Sequence, residues 1–174
     1  RLNQIDAVAL SQVQQTTIYP DSNRVTMYKN RDLGFRGWLV AGKLELHTNF
    51  SKFDYEAFKI NLLSTDEASL RVIPLRKEDG TERIYMFSSI KNIKGELLID
   101  DSHSKSGIKA SNPQYPILKS IAESKVYYNS KDILKGAYDS TRFYYAISPF
   151  ELDSLDNFSE ASLRFEGSLN SAGI

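Results

Sequence analysis

Residues 160–170 read EASLRFEGSLN, and this stretch decides the class of fold. Apolar or small residues take every second position from Ala161 to Leu169, and polar or charged residues take the positions between them. An alternation of period two is typical of a β-strand with one face on a core and the other in water. The pattern predicts that Leu163, Phe165 and Leu169 are buried and that the intervening residues are exposed.

Further stretches show the same alternation. Residues 38–47, 93–100 and 143–147 each read as a strand, and the first is predicted to place Trp38, Val40, Gly42, Leu44 and Leu46 on one face. Shorter strand candidates are residues 25–28, 69–73, 83–87 and 125–128. Residues 53–63 change phase near Ala57, which predicts either a β-bulge or a short helix there.

Three of the strands share an apolar-x-Gly-x-Leu pattern, at Gly42, Gly95 and Gly167. Glycine at an inward strand position weakens packing and costs backbone entropy, so its recurrence indicates a bend or a close approach of another segment. We expect the three glycines on the concave or crowded side of the sheet. The competing interpretation is a chance match, and a lipid-handling β-groove is the functional hypothesis that depends on this pattern.

Helical patterns are few and short. Residues 2–9 place four apolar side chains on one helical face, residues 117–123 follow a proline suited to a first helical position, and Ser130 caps residues 130–134. Residues 101–116 are polar and read as a long loop. The chain is therefore predicted to be mainly β, an antiparallel sandwich or curved sheet with one or two short helices.

The domain organisation follows from the same patterns. Residues 1–18 are assigned to the leftover of a preceding region or to an N-terminal helix, and residues 19–174 to a single β-rich domain. The chain starts at Arg1 without a methionine and stops just after a strand-like segment. We therefore expect a piece of a longer protein that continues beyond the C-terminus.

Composition excludes several functions. Among 174 residues, 22 Lys and Arg balance 22 Asp and Glu, which argues against duplex nucleic acid or an anionic membrane as the main partner. The absence of cysteine removes disulfides and thiolate metal sites. No apolar run approaches the roughly 20 residues of a transmembrane helix, and no signal peptide is visible.

Two polar clusters are candidates for chemistry. Asp100, Asp101 and His103 could do acid–base work in a hydrolase, although such residues usually just end a strand. Asp153, Asp156 and Glu160 could bind calcium, although a polar turn is the more ordinary explanation. Because no nucleophile, base and orienting group occur together, the sequence predicts no enzymatic activity, and we expect no cofactor and no metal.

Aromatic pairs are the stronger candidates for a binding site. Tyr127-Tyr128 and Tyr144-Tyr145 each place one ring on each face of a strand. Together with Trp38, the outward rings could stack on sugars, as in a carbohydrate-binding module, or anchor a protein partner. The competing interpretation is that both faces of these strands are covered.

The chain after Tyr19 also resembles a known group of proteins. The segments that carry the likeness are Arg36-Gly37-Trp38, Lys52-Phe53-Asp54-Tyr55, Tyr127-Tyr128-Asn129, Lys135-Gly136-Ala137-Tyr138, Arg142-Phe143-Tyr144-Tyr145, Pro149-Phe150, residues 152–158 and Leu163-Arg164-Phe165-Glu166-Gly167. They resemble an uncharacterised domain of very long, envelope-associated exported proteins of gut-type anaerobic bacteria. A thinner likeness is to the strand–Gly–strand meanders of AsmA-like lipid-handling proteins.

That resemblance implies a setting but no catalytic residue. It implies a non-enzymatic structural or ligand-binding β module of a large exported envelope protein, located in the periplasm or at the cell surface. The implied partners are other domains of the same chain, a glycan or an envelope protein. Asp139-Ser140-Thr141 and Asp153-Ser154-Leu155 resemble the acceptor triplet for O-glycosylation of exported proteins in such bacteria.

Overall fold

The computed structural model describes residues 6–72, 84–85, 89–106, 112–127, 143–157 and 163–171. Within these ranges the chain forms antiparallel strands and no helix. The strands are β1 (Val8–Ser11), β2 (Thr16–Met27), β3 (Leu33–Ala41), β4 (Leu44–Asp54), β5 (Lys59–Val72), β6 (Ile84–Tyr85), β7 (Ile90–Lys91), β8 (Gly95–Leu98), β9 (Ile117–Ser120), β10 (Ser124–Tyr127), β11 (Tyr144–Ile147), β12 (Phe150–Leu152) and β13 (Gly167–Asn170). The predicted mainly β, antiparallel fold is confirmed.

The topology is a meander in which successive long segments pair side by side. β1 to β5 pair in chain order, and β5 then pairs with β8 along its first half and with β7 along its second half. The next three segments of the chain each carry two short strands in succession: β7 and β8, then β9 and β10, then β11 and β12. Neighbouring segments run antiparallel, so β8 pairs with β9 and β7 pairs with β10. β13 closes the order beside β11.

One face of this sheet carries the core. A single transverse row of paired residues runs along it from β2 to β13, and its members are Ile18, Leu39, Leu46, Ala68, Ile90, Val126, Tyr145 and Leu169. The first five are buried in one cluster that also holds Leu97, Leu118 and Ile147. A cluster shared by strands from β2 to β11 requires a sheet curved around one core, which agrees with the predicted curved sheet or sandwich.

The opposite face carries a second transverse row. Its paired members are Tyr19, Trp38, His47, Glu67, Lys91, Lys125, Ala146 and Ser168. We call this the outer face, and this set of residues the outer row. Because side chains on a strand alternate between faces, the outer row is the direct neighbour of the core row at every strand.

Two hairpin turns lie where the alternation predicts continuous strands or a change of phase. Gly42 and Lys43 form a two-residue turn between β3 and β4, so the paired residues on either side are Ala41 and Leu44. The predicted single strand over 38–47 is therefore wrong, and Trp38 lies on the face opposite Leu44. The phase change within 53–63 is likewise a turn, over residues 55–58, rather than a bulge or a helix.

The predicted helices are not found where the chain is described. Residues 117–120 form β9 because Leu118 inserts into the core between Leu97 and Leu152, which a helix at this position could not do. Val8 also lies in a strand, β1, and pairs with Ile18. Residues 8–11 and 16–18 are thus part of the sheet, and residues 12–15 form the turn between them. The helix predicted for residues 130–134 lies outside the described residues.

The stretch 160–170 forms a shorter strand than its alternation predicts. Only Gly167–Asn170 are in a strand, residues 158–162 lie outside the described part, and Leu163 and Phe165 are half-buried. Leu169 is 60% exposed, so its predicted burial is wrong. The physical reason is position: β13 pairs with β11 at the margin of the sheet, beyond the filled part of the core.

The expectation that the three glycines lie at crowded positions is confirmed. A Cβ at Gly42, at φ +57°, would lie 2.6 Å from the Asp156 nitrogen. At Gly95 it would lie 1.9 Å from the Lys119 carbonyl oxygen, and at Gly167 2.0 Å from that of Ala146. The positions differ, however: a hairpin turn, the start of a central strand and the start of β13.

Candidate functional site

Trp38 is the centre of an exposed aromatic patch on the outer face. The register pairs it with Tyr19 on β2 and with His47 on β4, and we call these residues the Trp38 patch. Trp38 is 41% exposed and Tyr19 is 47% exposed, whereas the His47 side chain is mostly covered. The His47 ring meets the indole edge-on, with 5.1 Å between ring centroids.

Polar side chains surround the patch and hold the imidazole in place. His47 Nδ1 lies 3.0 Å from Asp66 Oδ2, and His47 Nε2 lies 3.4 Å from Asp21 Oδ2. Arg36 Nε donates to the same Asp21 oxygen over 3.1 Å, and Asn49 donates to the other oxygen of Asp66. Both carboxylates remain partly exposed, so they can still accept hydrogen bonds from a ligand.

The β-bulges of β4 and β5 create this arrangement. The register between these strands shifts at Thr48 and again beside Phe50, so that Asn49 and Asp66 are both exposed. Bulges commonly aim side chains at functional sites. Meanwhile Thr48 and Ser51 stay fully buried and hydrogen-bond to each other, with 2.8 Å between their hydroxyl oxygens.

A second aromatic group lies on the same face at β10 and β11. Tyr127 and Tyr144 are paired residues with 6.0 Å between ring centroids, and both are half-buried. Lys125 Nζ lies 4.7 Å from the Tyr144 ring centroid, and Asn170 Nδ2 donates to the Tyr144 hydroxyl over 3.0 Å. We call Lys125, Tyr127 and Tyr144 the Tyr144 cluster.

The structure does not bring all of the predicted aromatics together. Trp38 on β3 and Tyr127 on β10 are four strand spacings apart, which is roughly 19 Å at about 4.8 Å per spacing. Tyr145 faces the core, where its hydroxyl donates to the Phe165 carbonyl oxygen over 3.2 Å. It is therefore not available to a ligand. Tyr128 lies outside the described residues.

The sequence patterns do not predict the residues that lie around Trp38. Tyr19, Asp21 and Asp66 carry no local motif, and they reach Trp38 only through the pairing of β2, β3, β4 and β5. Alternation alone could have placed Tyr19 outward beside the buried Ile18. The register needed to place it opposite Trp38 depends on the turns.

The Asp100 cluster has a structural role in this fold. Asp100 is buried and its carboxylate accepts hydrogen bonds from Gln14, Asn112 and the Asp101 backbone nitrogen. It thereby joins the β1–β2 turn to the loop after β8. Burial, and then the nearby Asp101 and Asp100 carboxylates, raise the pKa of Tyr115 above its ordinary value.

His103, the other member of the hydrolase hypothesis, is placed in solvent. It is highly exposed, and its Nδ1 lies 3.1 Å from Asp101 Oδ1, which also accepts a hydrogen bond from the His103 backbone nitrogen. Asp100 does not share this contact, since its oxygens are engaged with Gln14 and Asn112. The geometry is that of a local loop contact rather than of a cleft.

The turn at 153–157 holds two of the three residues of the calcium hypothesis. Asp153 is exposed and Asp156 is half-buried, and no group of three or more His, Cys, Asp or Glu side chains suited to a metal occurs among the described residues. Leu155 is instead the anchor of this turn, because it is fully buried and its carbonyl accepts a hydrogen bond from Lys43. Glu160 and the triplet Asp139-Ser140-Thr141 lie outside the described residues.

The face that would form a lipid groove is filled. Leu44 and Leu97, from two of the three glycine strands, are fully buried, whereas Leu169 of the third is exposed at the margin. The glycines therefore do not line one open concave surface. In the described part of the chain, no helix is long and apolar enough to cross a membrane.

Comparison with known proteins adds no assignment. No family model, no curated protein and no solved structure matches this chain.

Proposed function

We propose that this chain is a non-enzymatic, ligand-binding β module, and that its site is the Trp38 patch on the outer face. The observation that carries the proposal is an exposed indole and an exposed phenol, paired across β2 and β3, beside two partly exposed carboxylates. The ligand class that fits this chemistry best is a saccharide. A sugar ring offers an apolar C–H face to the aromatics and hydroxyl donors to Asp21 and Asp66.

A saccharide fits the patch better than a protein surface does. A standard protein interface buries about 800 Å² on each partner and has a core depleted of charge. Here the exposed rings are few, and charged side chains such as Arg36, Asp21 and Asp66 lie beside them. An amphipathic ligand of small size can satisfy both kinds of group at once.

The absence of catalysis in this proposal rests on the geometry of the candidate residues. A hydrolase needs a nucleophile or activated water, a base and an orienting group within hydrogen-bond reach of one another. The Asp100 carboxylate is used in buried structural hydrogen bonds, and His103 contacts Asp101 in solvent. Among the described residues, their contacts are with Gln14, Asn112 and Asp101, and not with the residues of the Trp38 patch.

The setting we propose is that of a module in a large exported bacterial envelope protein, outside the cytoplasm. Its support is the resemblance of segments such as Arg36-Gly37-Trp38 to those proteins. Trp38 belongs both to that resemblance and to the patch. Other domains of the same chain are then its nearest partners, and a glycan is its ligand.

Affinity gel electrophoresis tests the proposed site directly. The chain is run through gels containing a soluble β-glucan, a xylan, or homogalacturonan in a sparsely de-esterified (acidic) or a fully methyl-esterified form. We expect at least one polysaccharide to retard the wild type and Trp38→Ala to lose at least about tenfold in affinity, because tenfold is about 1.4 kcal/mol and truncating a central aromatic anchor of a binding site commonly costs about 2 kcal/mol or more.

The matched control is Tyr28→Ala. Tyr28 is 42% exposed and Trp38 is 41% exposed, but the Tyr28 ring lies over Gly34, which is four residues or about 13 Å along β3 from Trp38. Tyr28→Ala should bind as the wild type does. No retardation by any of the four polysaccharides, or equal losses in the two variants, would refute the proposal.

A further inference from the structure

The outer row joins the two aromatic groups into one continuous track. Between Trp38 and Lys125 the paired residues are His47, Glu67 and Lys91, one on each successive strand. Tyr127 and Tyr144 lie on the same face, one pair further along β10 and β11. The track thus crosses the strands over roughly 19 Å and ends at aromatic rings on both sides.

The charge of this track changes along its length. The Trp38 end carries two carboxylates, Asp21 and Asp66, and one guanidinium, Arg36, which pairs with Asp21. In the middle Glu67 and Lys91 neutralise each other in an ion pair. At the far end Lys125 is a cation, and among the described residues its ammonium contacts the Tyr144 ring rather than a carboxylate.

We infer that the Tyr144 cluster is a second subsite of the same binding face, and that it selects an acidic group on an extended saccharide chain. Lys125 would pair with a carboxylate or sulfate of the ligand, while the Tyr127 and Tyr144 rings contact the sugar that carries it. This inference rests on the proposed function, because it requires another part of the same ligand at Trp38.

The fixed position of Lys125 supports a specific role. Its ammonium is held over the Tyr144 ring, and the Tyr144 hydroxyl is held in turn by Asn170. A cation prepositioned in this way loses less conformational entropy on pairing than a freely mobile lysine would. The length of the track requires a ligand of several linked units, since one sugar ring cannot reach both ends.

An acidic peptide is the rival occupant, and the Trp38 end disfavours it. A run of aspartate or glutamate long enough to reach Lys125 would bring its other carboxylates beside Asp21 and Asp66. Like charges at this distance repel. A chain with neutral hydroxyls at one end and an acidic group at the other avoids that conflict.

The test compares two forms of one polymer that differ in charge. Homogalacturonan that is de-esterified at only a minority of its units (the acidic form) and fully methyl-esterified homogalacturonan have the same backbone, so a difference in affinity reports isolated carboxylates on an otherwise neutral chain. We expect the wild type to bind the acidic form more tightly, and Lys125→Gln to reduce this preference by up to about fivefold, the size expected of an exposed ion pair. Lys29→Gln, an exposed lysine in the β2–β3 turn, is the matched control and should keep the preference.

Two further measurements make the result decisive. The preference should disappear in about 1 M salt, where the screening length falls to roughly 3 Å, while binding of the esterified form should persist. Tyr144→Ala should weaken both forms, because it removes a ring as well as the support of Lys125. Urea unfolding of each variant shows whether the fold is retained.

The outcomes separate this inference from the proposed function. If Trp38→Ala abolishes binding while Lys125→Gln leaves the acidic preference unchanged, the second subsite is wrong and the proposed function stands. If Trp38→Ala changes nothing, both are wrong. Binding of poly-glutamate in preference to either polysaccharide would assign the face to an acidic peptide and overturn the inference.

Discussion

The two halves of this sheet, β2 to β5 and β10 to β13, bury the same kind of side chain to different extents. In the core row, Leu46 on β4 is fully buried, whereas Leu169 on β13 is 60% exposed. Between them burial declines strand by strand, from Ile90 on β7 to the half-buried Val126 and Tyr145. The central strands β2 to β5 are long and have paired neighbours on both sides, but β10 to β13 are short.

The difference shows what an alternating sequence can predict. Alternation reports which side chains share a face, and Leu169 does share the face of Tyr145 and Val126. It does not report whether that face is covered. Cover comes from curvature and from buried loop residues such as Phe58, Ile93 and Leu155, all of which belong to the core cluster.

Truncating the two leucines gives the largest expected contrast. Leu46→Ala should lower the free energy of unfolding by about 2–5 kcal/mol, since it removes a fully buried side chain and leaves a cavity. Leu169→Ala should change it by no more than about 0.5 kcal/mol, as is usual at exposed positions. Urea unfolding followed by tryptophan fluorescence measures both.

A large loss in Leu169→Ala would show that β13 is covered in solution, and the contrast between the two halves would fail. A small loss in Leu46→Ala would be more serious, because it would contradict the placement of the core row. Both variants exchange the same side chain for alanine, so each serves as the control for the other.

Much of the fold was predictable because strand periodicity is local. Residues 25–27, 69–72, 125–127 and 144–147 all lie in strands, as their patterns predict, and Tyr28 lies just after the end of β2. The errors fall where two strands meet in a tight turn. The two-residue turn Gly42-Lys43 is flanked by Ala41 and Leu44, which are both buried in the core. The sequence therefore resembles one continuous strand, and its alternation assigns Trp38 to the face of Leu44 instead of the opposite face.

The glycine positions sharpen the comparison at the level of the backbone. Gly95 has φ +154°, and a Cβ at this position would lie 1.9 Å from the Lys119 carbonyl oxygen. Gly95 begins β8, which is paired on both sides, with β5 and with β9. Gly95→Ala should therefore cost about 1–3 kcal/mol through overpacking and backbone strain. Gly167 is equally crowded, but it lies at the start of β13, which pairs only with β11 among the described strands.

Because a marginal strand can shift away from its neighbour, we expect Gly167→Ala to cost less than Gly95→Ala. Denaturant unfolding of the two variants gives the two losses on one scale. Equal losses would mean that β13 is held as firmly as β8. A neutral Gly95→Ala would contradict the close approach of β8 to β9.

The candidate site was less predictable than the fold, and the reason is register. Trp38 and Tyr144 stand out by composition, and both do point outward. The partners that give the patch its chemistry, Tyr19, Asp21 and Asp66, come from other strands. Bulges in β4 and β5 shift the pairing by single residues, and one shift is enough to move a carboxylate to the other face.

The last and smallest contrast between the two halves of the sheet is in the burial of charged side chains. Asp32, before β3, is almost completely buried, and its carboxylate accepts hydrogen bonds from Lys52, the Tyr55 backbone nitrogen and Asn30. These contacts, led by that of Lys52, hold the pKa of Asp32 below its ordinary value. By contrast, the pair of Lys119 and Glu151 is largely exposed.

A carboxyl group whose pKa is lowered by folding stabilises the folded state only while it is ionised. The contribution of Asp32 is therefore complete at pH 7 and is lost as the pH falls below about 4 and through the lowered pKa. Asp32→Asn should reduce stability at pH 7 and remove part of the loss between pH 7 and pH 3, whereas Glu151→Gln should leave that loss unchanged. The urea midpoints of the three proteins at pH 7 and pH 3 measure this loss of stability. If the loss is the same in Asp32→Asn and in the wild type, the buried carboxylate does not stabilise the β2–β3 turn by its charge.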